Sequence, residues 1–348
     1  MKKAVTIKDI AEQLTLSRNT VAKALNGQYV PEKTREAVLN KAREMNYKSL
    51  NLNRIEVGNK KYRLLLISGK PLNNMNYFIP LIKGVENYCY EKNYELFQYT
   101  YNSDKTPFKG VYDYVKELNA DGIIAIECFE KNLIEKLLNI GKPVCFNDFS
   151  ASVSVIESDK RYDVISANDG QSVYEAVKSL YRRYKITRFT FVGDHKHCLS
   201  FYERYMGMLK AVISSGIPHT GYEDILCNDS SFDYGNPAAL KTEILKLKYR
   251  PQCFVCCNDF VARALCGALK TLDVRVPDDA LVLGFDNVAE AVALTPSITS
   301  FSVQKEFLGT ETVRTLVNRI ENPAAPSRVV TVAAELIRRD STEKNVTF

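Results

Sequence analysis

From Tyr62 onward the chain alternates short β-branched or apolar runs with longer amphipathic segments, and this restricts the body to parallel sheet covered by helices on both faces. Strand patterns fall near 63–67, 95–100, 122–126, 143–146, 188–193, 225–228, 253–257 and 281–284. Helix patterns lie between them, near 77–92, 109–119, 130–140, 169–184, 200–215, 236–248 and 259–273. These strands are too many for one tidy sheet, and the pattern restarts after Asn168-Asp169-Gly170, so two lobes fit better. At 348 residues the chain is long enough for two such lobes and a small head. Ligands of open parallel sheets collect beyond the carboxyl ends of the strands, which makes Ser68, Asp148, His195, Asn258, Asp259 and Asp286 candidates to face a common cleft.

The head is all-helical. Thr6 stands three places before Asp9, a reciprocal cap that opens a helix at Ile7 with Ile7, Ile10, Ala11 and Leu14 on one face. After a two-residue turn, Ser17 caps a second helix whose Val21, Ala24 and Leu25 pack inward. Arg18, Asn19 and Lys23 then point outward, as side chains suited to the major groove of duplex DNA. Arginine chelates the acceptor edge of guanine, asparagine pairs with adenine, and lysine reaches a guanine or a phosphate. Pro31 suits the first turn of a third helix, along which Thr34, Ala37, Val38, Ala42 and Met45 continue the apolar stripe, with Asn46 a plausible left-handed stop. Residues 1–60 hold 12 Lys or Arg against 6 Asp or Glu and carry the whole formal charge of +6, since the remainder balances at 35 of each. A cationic head on a neutral body suggests that the head neutralises phosphate.

Nine scattered cysteines argue against a disulfide framework. The spacing Cys253, Cys256, Cys257 resembles half a zinc site, but no second ligand pair stands at the usual distance and the segment reads as a buried strand. No metal and no cofactor is expected. His195 and His197 follow a strand-like run and read as loop residues. No stretch approaches the roughly 18 apolar residues of a spanning helix and no apolar run follows the N-terminal lysines, so a cytoplasmic protein without membrane partners is expected.

The head segments Thr6-Ile7-Lys8-Asp9-Ile10-Ala11, Ser17 to Val21, Leu25-Asn26-Gly27 and Lys33-Thr34-Arg35 resemble the lac repressor (LacI/GalR) family of bacterial regulators. Body segments agree in family order, among them Ala120-Asp121-Gly122, Arg204-Tyr205-Met206-Gly207, Cys257-Asn258-Asp259, Gly284-Phe285-Asp286-Asn287 and Glu335 to Ser341. The resemblance implies a homodimer that docks two heads on an operator and binds a small effector in a body folded like periplasmic sugar-binding proteins. It divides the chain into a helix-turn-helix domain (1–48), a hinge (49–61), an N-terminal lobe (62–165 and 303–330), a C-terminal lobe (166–302 and 331–341) and a tail (342–348). Arg18, Asn19 and Lys23 match base-reading positions, and Ser17, Asn26, Thr34 and Tyr47 match positions near phosphates. Asp148, Arg204, Asn258, Asp286 and Gln304 match pocket positions.

Those residue types suit a sugar. Hydroxyls both donate and accept, so one guanidinium, two carboxylates and an amide satisfy neighbouring hydroxyls in both directions. Tyr77, Phe78 and Phe232 would cover the apolar face, with Ser68 at the end of the first strand, although each aromatic could equally be packed core. Arg204 and Asp286 could also be an ion pair that holds the lobe together. An alternative effector is a purine-like corepressor stacked on Tyr77 and Phe78. Phosphorylated effectors would need more positive charge than Arg204, with only Lys196 to help. Two other classes are weaker. A sugar receptor without a DNA role would not carry the head, and no phosphate loop, nucleophile elbow or metal set marks an enzyme.

The sequence departs from the family in two places. Thr15 stands where a glycine is usual and is poorly suited to a left-handed turn, so a locally adjusted turn and a tilted recognition helix are expected. The polar stretch Lys48 to Lys61 lacks the usual proline and Ala-Arg pair and carries Glu56, which leaves Leu52 or Ile55 as the only minor-groove wedge.

Overall fold

Thr6 starts helix α1 (Ile7–Leu14) as expected: its hydroxyl accepts from Asp9 N, and the Asp9 carboxylate accepts from Thr6 N at 2.7 Å. The computed structural model describes residues 5–25, 30–45, 47, 62–69, 72, 75–102, 107–152, 161–217, 225–226 and 229–344. Two compact units emerge, Met1–Tyr62 and Arg63–Phe348. Asn26, Asn46 and the hinge, 49–61, lie outside the described residues.

In the first unit, α2 (Arg18–Leu25) is capped by Ser17 Oγ, which accepts from Thr20 N at 3.0 Å, and α3 spans Glu32–Glu44. Ile10, Ala11, Val21, Ala24, Leu25, Val30, Val38 and Ala42 form one core, with Val5, Ile7, Leu14, Leu16, Met45 and Tyr47 packed around it. Two expectations need correction. Ala37 is exposed rather than on the buried stripe, and Pro31 sits just before α3, where its carbonyl accepts from Thr34 N. The turn after α1 is not reshaped either. Thr15 adopts φ 56° and ψ 37°, the left-handed geometry that glycine would take without strain, and Leu16 N donates to Ala11 O to close the turn.

In the second unit, a six-stranded parallel sheet runs in the order β11-β5-β4-β3-β1-β2. Its strands are β1 (Arg63–Ser68), β2 (Glu95–Thr100), β3 (Gly122–Ile126), β4 (Val144–Asn147), β5 (Asp163–Ala167) and β11 (Arg328–Val332). One core beside this sheet joins Val111 and Val115 of α5 (Lys109–Glu117) and Leu133, Ile134 and Leu137 of α6 (Lys131–Asn139) to Phe146, Phe149 and Tyr162. Helices α4 (Met75–Glu91) and α12 (Lys305–Glu321) pack against each other, with α12 also against β3, β4 and β5. Their approach is close enough that a Cβ on Gly309 would lie 2.1 Å from Leu81 O, so only glycine fits there.

The second sheet is also parallel, in the order β7-β6-β8-β9, with β6 Phe189–Val192, β7 Ile225–Leu226, β8 Cys253–Cys256 and β9 Leu281–Leu283. Around it, α7 (Asp169–Tyr184) pairs with α8 (Leu199–Ser214), and α9 (Pro237–Lys246) with α10 (Asp259–Lys270); a short α11 spans Ala289–Val292. The Cys253–Cys256 segment is a fully buried strand. An antiparallel ribbon of β10 (Ser300–Val303) and β12 (Ala334–Ile337) lies beyond it. The chain therefore passes between the lobes three times: from β5 to α7, from β10 to α12, and from β11 to β12. The first sheet reaches Ala167 and Val332, slightly past the positions 165 and 330 where the resemblance puts the crossings.

Six elements, β5, α11, α12 and β10 to β12, are absent from the sequence-based assignment. Asp163 explains β5 and much of α12. This buried carboxylate opens a strand and takes hydrogen bonds from Arg319 Nη2 at 2.7 Å, Arg328 Nη2 at 3.0 Å and Arg328 N at 2.8 Å. Burial works to raise its pKa, but the two guanidinium groups win and hold the carboxyl below its ordinary range. Polar and small residues (Gly309, Thr312, Thr315, Arg319) occupy the buried side of α12 and erase the apolar stripe by which a helix is recognised.

Candidate functional site

On the head, α2 turns Val21, Ala24 and Leu25 into the core and leaves Arg18, Asn19 and Lys23 exposed, as the groove-reading assignment requires. Of the residues assigned to phosphate, Ser17 is exposed, though its oxygen also serves as the α2 cap. Thr34 is half-buried in the first turn of α3, and Tyr47 packs on the head core with its amide donating to Ala42 O. Asn26 is outside the described residues.

In the body, the strand ends build a cleft of about 460 Å³. Glu127 after β3, Asp148 after β4 and Asp286 beyond β9 all have positive φ (56°, 62° and 101°), so three backbone turns that favour glycine carry carboxylates into one cavity. Tyr77, Phe78, Asp148, Arg204, Phe232, Asn258 and Asp286 all line it. Ser68 and Gln304 do not. Ser68 is buried in the sheet with its hydroxyl donating to Thr100 Oγ1, and Gln304 is an exposed residue at the start of α12. Asp259 is likewise structural, accepting from Ser300 Oγ at 2.7 Å and Val288 N at 3.0 Å. His195 packs on Tyr205, and it is His197 that reaches the cavity wall, against Phe129 and Phe201.

Arg204 is the buried centre. Nε donates to Asp169 Oδ1 at 2.8 Å, Nη1 donates to Cys257 O, Nη2 lies 3.8 Å from Asp286 Oδ1, and the guanidinium sits 3.6 Å from the centroid of Phe285. The ion-pair and pocket readings of Arg204 therefore coincide: it ties α7, α8 and the turn after β9 together and also lines the cavity. Burial pushes the Asp286 carboxyl up to about 7, with Arg204 opposing and Asp259 adding to the rise. Asp148 is pushed up to about 6 by burial and by Asp169, against hydrogen bonds from Phe149 N and from the side chains of Cys198 and Ser200. Its Oδ1 accepts from Ser200 N at 3.2 Å, and Leu199 N donates to Phe149 O at 2.7 Å, so the end of β4 in one lobe touches the first turn of α8 in the other. Asn258 caps α10 through its side-chain oxygen, which accepts from Val261 N at 3.0 Å. Tyr77 and Phe78 meet edge to face, 5.2 Å apart at 86°, and so do not form the parallel slot expected of a base-stacking pair.

Several lining residues were not singled out from sequence. Glu127 and Asp194 follow β3 and β6, so the strand-end rule applied to every strand would have found them. Asp233, Tyr234 and Phe260 come from the loop before α9 and the start of α10 and carry no comparable signal.

Residues 179–342 match the family model described as a periplasmic binding protein-like domain. Over 346 residues the chain is 25% identical to the HTH-type transcriptional repressor PurR of Mannheimia succiniciproducens, covering 97% of this chain and 99% of that protein. The repressor of the same name from Vibrio parahaemolyticus is 27% identical over 352 residues, with 97% and 99% covered. Among solved structures, the complex of the transcriptional regulator CelR with cellobiose superposes with a TM-score of 0.68 at 20% identity over 97% of this chain and 99% of that one. The lac repressor dimer bound to operator and the anti-inducer ONPF gives 0.65 at 17% identity over 98% and 99%. Both structures share this fold along nearly its whole length. No described helix is long and apolar enough to cross a membrane.

Proposed function

The chain belongs to the lac repressor (LacI/GalR) family of DNA-binding transcriptional regulators, and we propose that the effector controlling its grip on the operator is a sugar held in the cleft between the lobes. It is a regulator and not an enzyme, as its repressor relatives indicate. It works as a homodimer on double-stranded operator DNA. The sign of control is repression, in keeping with those relatives, and its place is the cytoplasm.

One observation carries the sugar reading: Arg204, Asp148, Asp286 and Asn258 converge on a single cavity beside Tyr77, Phe78 and Phe232. Charged groups and an amide offer donors and acceptors to vicinal hydroxyls, and the rings cover apolar ring faces. The edge-to-face geometry of Tyr77 and Phe78 favours this over a stacked purine. On the head, Arg18, Asn19 and Lys23 read bases while Ser17, Thr34, Tyr47 and Asn26 hold phosphates. The lobes, divided near 165/166, 302/303 and 330/331, move about the three crossings, and the contact between Asp148 and Ser200 is remade when ligand enters. Coupling is reciprocal: an effector that weakens operator binding by about 1 to 3 kcal/mol is itself bound as much more weakly on operator. Thermal-shift screening against sugars and nucleobases, followed by titration with and without operator, tests this. Equal effector affinities in the two titrations would remove the allosteric part, and a nucleobase as sole binder would remove the sugar.

A further inference from the structure

We propose that the effector carries a protonated amine, so that the cleft is a site for a cationic, aminated polyol rather than for a neutral or acidic sugar. The inference rests on the reading of the cleft as the effector site and narrows its ligand class.

The charge of the wall is lopsided. Glu127, Asp148, Asp194, Asp233 and Asp286 all line the cavity, and Arg204 is the one lysine or arginine among the described lining residues. Arg204 is already engaged by Asp169 and Asp286 and stacked on Phe285, so its charge serves the wall itself. The neighbouring ammonium, Lys305, lies behind the wall, donates to the main-chain carbonyl of Asp286, and stands 5.9 Å from the Tyr77 ring centroid. Asp169, also behind the wall, offsets it. Asp194 and Asp233 each commit one oxygen to a turn amide, of Lys196 and Gly235. Neutral polyols need acceptors, but they do not need four more negative charges than positive ones in a half-enclosed cavity. Such an excess disfavours carboxylated or phosphorylated ligands and favours an ammonium.

Aromatic rings supply the second, independent observation. Tyr77, Phe201, Phe232, Tyr234 and Phe260 surround the same space, and ring faces attract cations once water is excluded. Carboxylates alternating with ring faces are the pairing that recognises an organic ammonium.

Titration of the wall agrees with this geometry. Asp286, which faces Arg204, Asp259, Lys305 and Asp169, is pushed up to about 7. Asp148, which faces Asp169, the Cys198 thiol and the amides of Phe149 and Ser200, is pushed up to about 6. Without a ligand cation the cleft holds part of its excess charge down by taking up protons, and a bound ammonium would expel them.

The test is calorimetric titration of the full-length protein with matched probes: glucosamine, galactosamine and mannosamine, each beside its parent hexose and its N-acetyl derivative. At least one hexosamine is expected to bind at about pH 7, where its amine is mostly protonated, some tenfold or more tighter than both of its uncharged twins. That affinity should weaken as pH falls through 6, where Asp286 and Asp148 hold protons that the ligand must expel, and again as pH rises past 8, where the amine loses its own, with the proton exchange seen as a dependence of the heat on buffer ionisation enthalpy. Asp233→Asn, in an exposed loop, should reduce the preference for the amine over its twins without unfolding the body. A hexose or N-acetyl twin that binds as tightly as the amine, or no binding by any hexosamine, overturns the proposal. The reading of the cleft fails separately if whichever ligand binds is unaffected by Arg204→Met and Asn258→Ala.

Discussion

Thr15→Gly should stabilise the head. Thr15 is exposed and holds φ 56° and ψ 37°, so the substitution removes strain without uncovering any core. A left-handed conformation costs a residue with a Cβ about 1 to 2 kcal/mol, and glycine loses roughly 0.5 to 1 kcal/mol more chain entropy on folding. The difference favours glycine by about 0.5 to 1 kcal/mol, or roughly two- to fivefold in the opening equilibrium. Hydrogen exchange of the full-length protein reads this directly: amides of α1 and α2 should gain protection by about that factor. Thr15→Val, which keeps the branched Cβ, should leave exchange unchanged, and Thr15→Ala should fall between the two. Unchanged or faster exchange in Thr15→Gly would show that the threonine turn is unstrained and that the reasoning from φ is wrong.

Asp286, Asp148 and Asp259 all have folded pKa values raised above those of the unfolded chain, to about 7, 6 and 6. Their contribution to stability is therefore complete below about pH 4 and lost as pH rises through 6 to 7. Asp286→Asn should flatten this decline in a series of calorimetric scans, by about 4 kcal/mol at most for a shift of roughly three pH units, and an unaltered slope would refute the assignment. Arg319→Ala leaves Asp163 buried with only Arg328 for a partner and should cost about 3 to 5 kcal/mol in urea unfolding, far more than Arg314→Ala on the exposed side of the same helix. Arg18→Ala should relax base preference at one operator position by about 1 to 3 kcal/mol in a site-selection experiment, and an unchanged preferred site would mean that α2 is in another register.

What the sequence made legible followed the physics of periodicity and caps. Thr6 with Asp9, and Ser17 before Arg18, announced α1 and α2 because each cap satisfies specific amides. Strands buried on both faces, such as Leu64 to Ile67 and Cys253 to Cys256, announced the two sheets. Elements whose interior is polar stayed hidden: Asp163 and Arg319 read as surface charge until their partners are seen 156 residues apart. In the cleft, Asp148, Asn258 and Asp286 were legible through resemblance and through their places at strand ends, and Arg204 through resemblance alone, whereas Ser68 and Gln304 have the right sequence positions but lie off the wall. Asp233 and Tyr234 come from a loop, where no period or cap ties a residue's position to its direction.

The third passage between the lobes has a consequence for how the molecule is made. Strand β11 closes the edge of the first sheet beside β5, and α12 covers that sheet together with α4, yet both are encoded after most of the second lobe, with β12 still to follow. During synthesis the edge of β5 and the sheet face that α12 covers therefore stay open while most of the second lobe is being made, and the first lobe closes only when α12 and β11 arrive. Premature termination between α12 and β11 would release a polypeptide in which every residue of the cleft wall is encoded but the first sheet lacks its edge strand.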